Sequence, residues 1–346
     1  MRGLGRLRRM LGLRTESDTV SPEDTGLRAA QPRPGLRPDL VIPCHNDAAG
    51  LARLLARARR LGCFARIIVV DDGSDRPVAD VITDTASLTI LRHETPRGGG
   101  VARNAGLAAV TAPHVVFADA DDMLLPELPY LLADLEGAGA FDICQFRYAE
   151  SRVAGEGLWG QPEWDERFWA AAGAGVGTLA DLPRAHWPTL AQTANYPWNK
   201  VYDVGFLRRH GIGCAETAVH QDIPLHWLSY LAADRVLVSD RICAWHGVHA
   251  TGDRLTNRAR AERLEVFAAL DPVARRALGA DPAWEAAFLT FALDLVDWGA
   301  GRIRPDLVAD LRAAERTWRA RHFRPALARL GDRDPGLAAR LSERIG

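Results

Sequence analysis

Three carboxylates crowd the end of one apolar run, in the stretch VVFADADDMLLP at residues 115–126. Asp119, Asp121 and Asp122 carry like charges, and crowding them costs free energy unless a cation or hydrogen-bond donors compensate. Side chains alternate along an extended strand, so Asp119 and Asp121 are expected to point the same way. Two carboxylates aimed at one point form part of an oxygen-rich site for Mg²⁺ or Mn²⁺. Asp122 can instead cap the following turn.

Two more polar clusters follow apolar runs closer to the N-terminus. CHND follows the run at 40–43, and DDGSD follows the run at 65–70. Asp, Gly and Ser favour turns for backbone reasons, so DDGSD can be a turn alone. Its two adjacent carboxylates, Asp71 and Asp72, can also accept hydrogen bonds from a nucleotide base or a ribose.

The glycine-rich stretch RGGGVARNAG at 97–106 lacks the features of a phosphate-binding loop. A Walker loop ends in Gly-Lys-Ser/Thr, and a dinucleotide fingerprint starting at Gly98 would need glycine where Arg103 stands. The stretch also follows the third apolar run rather than the first. The stretch therefore predicts a flexible segment that leads into a helix, with Arg103 in the first turn of that helix. Arg103 is either a ligand-binding residue or an ordinary surface arginine.

Apolar runs alternate with amphipathic stretches from Pro38 onward. The runs at 40–43, 65–70, 88–93, 114–118 and 141–146 are predicted strands, and AAGLARLLARARRL, VARNAGLAAV and PELPYLLADLEG are predicted helices. This alternation predicts an α/β fold with right-handed βαβ crossovers and a mainly parallel sheet. Ligands of such sheets bind beyond the carboxyl ends of the strands, so the three polar clusters are expected to share one rim.

The composition predicts a globular protein with no general preference for nucleic acid. The chain has 346 residues, 47% of them hydrophobic, and its formal net charge is −1. Such a balance gives no overall attraction to a polyanion. The five cysteines are odd in number and lack metal-binding pairs, which predicts reduced thiols in a cytosolic compartment. No window approaches the roughly 20 apolar residues of a membrane-spanning helix.

The two ends of the chain differ from its middle. Residues 1–37 are predicted to be a basic tail and linker, and residues 1–14 carry five arginines and no acid. This segment can lie on an anionic membrane surface, at its inner face, or remain a solvated tail. From Asn257 onward, Ala, Leu, Arg and Glu recur at helical spacing, which predicts a C-terminal helical region at 256–346.

Tryptophan is concentrated in one part of the chain. Five of the ten tryptophans fall between residues 150 and 200. Tryptophan rings can stack on sugars, and they also pack well in protein cores. Core packing is the expectation for most of them.

Six motifs resemble, in order and approximate spacing, those of the family 2 glycosyltransferases, which are enzymes of GT-A fold. The motifs are VIPCHND, VVDDGSD, RGGGVARNAGL, VVFADADDML, NYPWNKVYDVGFLRRHGI and HQD. The resemblance covers about residues 38–255. It implies a GT-A domain there, with the mainly parallel, helix-flanked sheet of nucleotide-diphospho-sugar transferases. Any one motif is weak, but six in order are specific.

Position by position, the resemblance implies the residues of the site. It implies that Pro43, Asp72 and Arg103 hold the nucleotide base and that Asp119 lies near the ribose and diphosphate. The other expected contacts of the nucleotide sugar are His45, Trp198 and Lys200. Asp121 would ligate a metal near Asp119, and Asp222 would be the catalytic base. The counter-charge of the crowded carboxylates would then be a divalent cation, Mn²⁺ or Mg²⁺, shared with the diphosphate of the donor.

Three positions qualify this assignment. His45 stands where the family usually has tyrosine. The family usually has a Glu-Asp pair where this chain has Gln221 and Asp222, so only one carboxylate is available there. His246 lies where many GT-A enzymes bring a third metal ligand, and neutral imidazole can serve. It can equally be a packed, hydrogen-bonded core histidine. Asp222 likewise can be a helix cap instead of a base.

Lys200 is the only lysine in the chain, and it falls in the W-x-K segment that begins at Trp198. Lysine offers a compact point charge, which suits a single phosphate oxygen or hydroxyl better than a forked arginine does. Lys200 is therefore predicted to bind the nucleotide-sugar donor. The alternative is that the position of the only lysine is due to chance. Trp198 is the tryptophan expected nearest to substrate.

The function implied by the resemblance is metal-dependent, inverting transfer of a sugar. The donor would be a nucleotide-diphosphate sugar, by expectation a UDP-sugar, and the acceptor a hydroxyl of a glycan or polyol phosphate. Bacterial surface glycan, capsule or teichoic-acid synthesis is the expected setting by family analogy. Two other classes stay open: a nucleotidyltransferase of related fold, although VIPCHNDAAG lacks a basic phosphate loop, and a non-catalytic glycan- or nucleotide-binding protein.

Overall fold

The structure is a computed structural model that describes residues 35–82, 85, 87–155, 158–174, 177–248 and 260–343. The predicted basic segment at 1–14 lies outside the described residues. Its expected contact with a membrane therefore stays a prediction.

One mixed sheet forms the centre of the molecule. Its strands are β1 (Asp39–Cys44), β2 (Ile67–Asp72), β3 (Leu88–His93), β4 (His114–Phe117), β5 (Met123–Leu124), β6 (Ile143–Glu150), β7 (Ala180–Asp181), β8 (Lys200–Asp203) and β9 (Val236–His246). The strand order is β3-β2-β1-β4-β8-β6-β9-β5, and β7 pairs with β9.

The two halves of the sheet differ in strand direction. β3, β2, β1 and β4 are all parallel, as the βαβ alternation predicts. β8 then runs antiparallel to both β4 and β6, while β6 and β9 are parallel. The mainly parallel sheet is thus confirmed for the first half, and short antiparallel strands extend it in the second.

Helices cover both faces of the sheet. They are α1 (Ala48–Leu61), α2 (Val78–Val81), α3 (Gly99–Ala109), α4 (Leu128–Glu136), α5 (Ser151–Gly155), α6 (Glu163–Ala171), α7 (Trp187–Leu190), α8 (Val204–His210), α9 (Asp222–Ala232), α10 (Val266–Ala277), α11 (Pro282–Ala300), α12 (Val308–Arg333) and α13 (Pro335–Glu343). Short 3-10 helices occur at Arg184–His186, Ala261–Glu265 and Pro305–Leu307.

Local sequence signals explain where α1 begins and ends. The Asp47 side chain accepts the N–H of Gly50 at 2.8 Å, which satisfies one of the free donors of the first turn. Gly62 follows the helix at φ +63°, and its N–H bonds to the carbonyl oxygen of Ala58. Glycine adopts this left-handed conformation without steric cost, so it ends the helix cleanly.

Alternate residues of the central strands enter two separate cores. Val41 and Ile68 face the core that contains α3, α9 and the C-terminal helices. Leu40 and Ile42 face the core beneath α1 and α4. A strand that is buried on both faces has a continuous apolar sequence. These strands can therefore be predicted from the sequence.

The Trp-rich stretch contributes to both core and surface. Trp169, Trp187 and Trp198 are at most 3% exposed, whereas Trp159 and Trp164 remain 49% and 44% exposed. All five cysteines are free and buried. Within the described residues, no helix combines the length and apolar character needed to cross a membrane.

Candidate active site

The loops that follow β1 and β2 are joined by hydrogen bonds at the rim of the sheet. The backbone N–H of Asn46 donates to Ser74 Oγ at 3.0 Å, and the N–H of Asp75 donates to Asn46 Oδ1 at 2.9 Å. Asn46 has φ +55°, a conformation that asparagine tolerates better than most residues. CHND and DDGSD therefore form one connected surface, as expected for adjacent parallel strands.

The two adjacent carboxylates of DDGSD, Asp71 and Asp72, have different roles. Asp71 is 1% exposed, and it accepts the N–H groups of Ser74 and Val78 at 2.9 and 3.0 Å. These are turn contacts, which fits the reading of DDGSD as a turn. Asp72 reaches forward to the next loop, where it accepts the N–H groups of Arg97 and Gly98 at 2.9 and 2.7 Å.

Three predicted nucleotide contacts lie together at this rim. Pro43 is in β1, and its register partner in β2 is Val70. His45 Nδ1 lies 2.8 Å from the carbonyl oxygen of Asp72. His93 Nδ1 lies 2.7 Å from Asp72 Oδ1, a contact that the sequence did not indicate.

The DADD carboxylates converge, but not by strand alternation. β4 ends at Phe117, so Asp119 and Asp121 lie beyond the strand. A turn closed by the N–H of Asp122 and the carbonyl oxygen of Asp119, 3.0 Å apart, gathers all three side chains. Their ligand oxygens lie within 4.8 Å of one another. The prediction that strand alternation would align Asp119 with Asp121 was wrong. Asp122 belongs to the same carboxylate cluster and does not only cap a turn.

These three carboxylates fit a hard divalent cation. Carboxylate oxygens are the ligands that Mg²⁺ and Mn²⁺ prefer. Asp122 Oδ2 is buried and has no hydrogen-bond partner among the described residues. A buried carboxylate oxygen without a partner is costly, and a cation would satisfy it.

His246 lies against this group through Asp122. Its Nδ1 is 2.7 Å from Asp122 Oδ1, and its ring lies 5.1 Å from the ring of Trp198. Burial lowers the pKa of His246, but the carboxylates of Asp122, Glu150 and Asp119 together raise it by more, so the net shift is upward. The structure thus places His246 beside the predicted metal site, with Asp122 as its direct partner.

Arg103 joins two parts of the site that are far apart in sequence. Its guanidinium lies 2.5 Å from Asp119 Oδ1 through Nη2 and 3.0 Å from Asp222 Oδ1 through Nη1. The Arg103 side chain is 5% exposed, so it is not an ordinary surface arginine. Burial lowers the pKa of Arg103, and the charges of Asp119 and Asp222 raise it by more. Within the protein itself, Arg103 is thus a counter-charge to Asp119, one of the three crowded carboxylates.

Asp222 is the first residue of α9 and is held at the end of a clamped loop. Asn104 Nδ2 donates to the Cys214 carbonyl oxygen at 2.9 Å, and the Ala215 N–H donates to the Gln221 carbonyl oxygen at 2.8 Å. A Cβ atom at Gly100 would lie 2.2 Å from the Ala215 carbonyl oxygen, so glycine permits this close approach. Residues 214–221, the base loop, are therefore fixed against α3.

The environment of Asp222 favours a carboxylate that can exchange a proton near neutral pH. Burial raises the pKa of Asp222 to about 6, against the opposing charge of Arg103. Its side chain keeps 24% exposure, so solvent and substrate can reach it. No side-chain capping bond is formed at the start of α9.

Lys200 and Trp198 lie in the wall behind the site. Lys200 is fully buried, and its Nζ donates to the Tyr196 carbonyl oxygen at 2.7 Å and to Asn199 Oδ1 at 2.6 Å. Burial lowers the pKa of Lys200 to about 7, although Asp165 and Asp222 oppose the shift. Trp198 is 1% exposed and stacks on Tyr196 at 4.5 Å. Neither side chain presents an open surface to a donor here.

A cavity of about 320 Å³ opens beside the carboxylates. Asp121 and Asp122 form part of its wall, opposite arginines of α1 and next to Trp245. A larger, more open cleft of about 1180 Å³ lies outside α3 and α9, along Asn104 and Pro224. That cleft contains none of the three carboxylates, so the candidate metal site borders the smaller cavity.

The fold of the chain is the GT-A fold of glycosyltransferases. The crystal structure of S. aureus TarS 1–349 in complex with UDP-GlcNAc superimposes with a TM-score of 0.60 at 16% identity, covering 83% of this chain and 89% of that one. Its complex with UDP gives a TM-score of 0.59 at 17% identity, with the same coverage of both chains. Likeness at this identity shows the fold alone.

Residues 39–186 match the model of glycosyl transferase family 2. The pre-mycofactocin glycosyltransferase of Mycobacterium tuberculosis is 42% identical over 99 residues, which are 27% of this chain and 20% of that protein. The succinoglycan biosynthesis protein ExoU of Rhizobium meliloti is 34% identical over 91 residues, 25% of this chain and 27% of that protein. The chain thus spans less than a third of the length of these relatives. The resemblance in the motifs is confirmed for family and fold.

Sequence reasoning missed several contributors to the site. His93 stands in a segment without a recognisable motif, and Asn104 lies in RGGGVARNAGL but has no assigned role there. The contacts of both residues depend on the tertiary structure. Asp122 was visible in DADD, but a turn rather than a strand decides its direction. The end of β4 depends on the neighbouring strands, which the local pattern does not encode.

Proposed function

We propose that this protein is a metal-dependent, inverting glycosyltransferase that moves a sugar from a nucleotide-diphosphate donor, a UDP-sugar, to an acceptor hydroxyl. The observation that carries the proposal is the Arg103 guanidinium, which lies between Asp119 at 2.5 Å and Asp222 at 3.0 Å. The donor-side carboxylate and the candidate base are thereby held within one guanidinium of each other. In-line displacement needs the leaving group and the nucleophile on opposite sides of one carbon, so the donor site and the base have to lie close together.

The donor would lie along the rim formed by the first loops. Pro43, His45 and Asp72 would border the nucleotide base, with Arg103 beyond them. Asp119 and Asp121 would hold the cation, with Asp122 and its partner His246 beside them. A bound divalent cation would offset the charge of the departing diphosphate.

Asp222 would act on the acceptor. The acceptor oxygen attacks the anomeric carbon, the bond from that carbon to the diphosphate oxygen breaks, and the acceptor proton passes to the Asp222 carboxylate. The diphosphate leaves with the bonding electron pair, and the anomeric configuration inverts. The raised pKa of Asp222, about 6, makes this carboxylate a stronger base than an exposed one while it stays ionised at neutral pH.

The setting that we propose is synthesis of a bacterial surface glycan, capsule or teichoic acid at the cytoplasmic side of the membrane. Support comes from the R. meliloti relative, which is named for succinoglycan biosynthesis.

The first test is a thermal-shift panel of UDP, GDP, CDP and dTDP, each with and without Mn²⁺, followed by sugar-nucleotide turnover. We expect a rise in melting temperature that requires both UDP and Mn²⁺, together with release of UDP from a UDP-sugar. Binding without turnover on any donor or acceptor would instead support a non-catalytic binding protein. Release of pyrophosphate from a nucleoside triphosphate would support a nucleotidyltransferase.

A further inference from the structure

The cavity of about 320 Å³ beside the carboxylates is lined by groups that the proposed mechanism does not use. Its volume lies at the lower end of the range for small-molecule sites, roughly 300–1,000 Å³. Asp121 and Asp122 form part of its lining, so the cavity borders the proposed cation site. An occupant would therefore lie next to the diphosphate of the donor, as either the donor's own sugar or the acceptor.

Three arginines of α1 line the same cavity. Arg53, Arg57 and Arg60 are four and three positions apart, which places them on one face of the helix. Arg57 Nε donates to the carbonyl oxygen of Leu124 at 2.9 Å, so this arginine is tied to β5. Arg53 and Arg60 are exposed, and neither forms an ion pair with another described residue. These two guanidinium groups are therefore accessible to a ligand.

An aromatic pair continues the lining of the cavity toward the surface. Trp245 lines the cavity, and its ring centroid lies 5.2 Å from that of Trp159, with an angle of 25° between the ring planes. Trp245 belongs to β9 and pairs in register with Ala149 of β6, so the sheet holds this stack in place. Trp159 nevertheless remains 49% exposed. The stack thus offers a fixed apolar surface for the C–H groups of a sugar ring.

We propose that this cavity is a subsite for an anionic carbohydrate, whose phosphate or carboxylate group binds Arg53 and Arg60 while its ring packs on Trp159. Guanidinium groups bind the oxygens of both anions through paired N–H donors. The proposed cation would offset Asp121 and Asp122, which leaves the guanidinium charges to the occupant. The inference rests on the proposed function, which supplies that cation and places the occupant beside the diphosphate.

Two sources fit this chemistry, a uronic acid in the donor and a phosphate- or uronate-bearing acceptor. Isothermal titration of the full chain with Mn²⁺, at constant ionic strength, separates them. In the donor arm, UDP-glucuronate is compared with UDP-glucose. In the acceptor arm, the protein is first loaded with UDP, and glycerol phosphate and glucuronate are compared with glycerol and glucose. We expect the anion to bind about tenfold more tightly than its neutral counterpart in one arm, and that arm identifies the source.

The double variant Arg53→Gln/Arg60→Gln tests the guanidinium contacts. It should abolish the preference for the anion, because the charge-assisted hydrogen bonds are lost. Its melting temperature and its affinity for UDP should stay unchanged. Arg316→Gln is the matched control, since Arg316 is an exposed arginine of α12 that does not line the cavity. This control should keep the full preference.

Trp159→Ala tests the contact with the sugar ring. It should weaken binding of the sugar-containing probes of the responding arm by about threefold or more, whatever their charge. Binding of UDP alone should not change. Trp164→Ala is the control, because Trp164 is a 44% exposed tryptophan of α6 outside the cavity, and it should bind every probe normally.

Equal affinity for anionic and neutral probes in both arms, with UDP binding intact, would overturn the subsite. A preference that survives in the double variant, or that Arg316→Gln loses equally, would overturn the guanidinium contacts. Unchanged sugar binding by Trp159→Ala would overturn the ring contact. Failure of UDP and Mn²⁺ to bind would contradict the proposed function instead, and the same anion titration without nucleotide then tests the cavity by itself.

Discussion

Arg103 pairs with both carboxylates of the proposed reaction, Asp119 on the donor side and Asp222 as the candidate base. The motif that contains Arg103 is visible in the sequence, but its partners are not. Asp119 is 16 residues away and Asp222 is 119 residues away along the chain. Residue types and spacing therefore indicate which side chains could take part in a reaction. Only the tertiary structure shows which of these side chains contact one another.

Asp121→Asn tests the metal assignment at the level of one ligand. The substitution keeps the volume of the side chain but removes its charge, so the protein should fold normally. UDP binding should lose its dependence on Mn²⁺ and weaken by about tenfold or more, on the scale of perturbed metal sites. Isothermal titration of UDP with and without Mn²⁺ measures the effect.

Asp80→Asn is the control for that titration, because Asp80 is an exposed acid of α2 outside the site. It should behave like the unmodified protein. Full Mn²⁺-dependent UDP binding by both Asp119→Asn and Asp121→Asn would refute the metal site.

The pH dependence of the reaction follows from Asp222. A general base works only in its deprotonated form, and burial raises the pKa of this carboxyl to about 6. At saturating Mn²⁺, kcat/KM should therefore rise with pH, level off above about 6, and fall about tenfold per pH unit below it. A kcat/KM that stays constant between about pH 5 and pH 8 would be inconsistent with Asp222 as the base.

At the level of elements, the first half of the fold is well encoded in local sequence. The predicted helix at 48–61 and the predicted strand at 88–93 have the bounds that the structure gives to α1 and β3. The second half of the fold is less clearly encoded in the local sequence. β8 has four residues and begins where the Trp-rich stretch ends, and its antiparallel pairing with β4 and β6 depends on contacts distant in sequence.

The packing of α3 on the sheet depends on Gly106. A Cβ atom there would lie 2.4 Å from Val41 Cγ1, so the helix or the strand would have to move. Gly106→Ala should lower the free energy of unfolding by about 1–3 kcal/mol, the usual cost of overpacking. Gly299→Ala is the matched control, because Gly299 lies inside α11 with nothing within 4 Å of its Cβ position.

Gly299→Ala should raise the free energy of unfolding by up to about 1 kcal/mol through helix propensity. Urea unfolding of the two variants measures both effects. Equal changes in the two variants would show that close packing at Gly106 is unimportant.

The C-terminal helical region has a structural link to the base loop through Glu265. Its carboxylate accepts the N–H of Ala218 at 2.6 Å, four residues before Asp222. Glu265→Ala should displace the loop and lower kcat by about 10 to 100-fold, because small misplacements of a catalytic group are costly. UDP binding should not change, since the donor-side contacts stay intact.

Steady-state kinetics distinguish positioning by Glu265 from a general structural effect. Glu265→Gln keeps an acceptor oxygen for Ala218 and should restore most of the rate. Glu262→Ala, in the same 3-10 helix, is the control and should be nearly normal. A Glu265→Gln variant as slow as Glu265→Ala would argue against the hydrogen bond as the cause.

For the whole molecule, the central claim is that a donor site within residues 39–186, which match family 2, and a base at the start of α9 form one catalytic centre. The sequence predicted the fold class, the six motifs and Asp222 itself. It could not predict that residues beyond 260 support the base loop, because Ala218 and Glu265 are 47 positions apart and neither belongs to a recognisable motif. The claim therefore requires a measurement that separates donor binding from transfer.

Asp222→Asn makes that separation most directly, with UDP affinity, melting temperature and transfer rate measured on the same preparation. If Asp222 is the base, UDP affinity and melting temperature stay near normal while transfer falls by about 10² to 10⁴-fold, the usual contribution of general base catalysis. If Asp222 only caps α9, asparagine caps as well as aspartate and activity survives. An active Asp222→Asn enzyme would remove Asp222 from the mechanism and direct attention to His220 or His226.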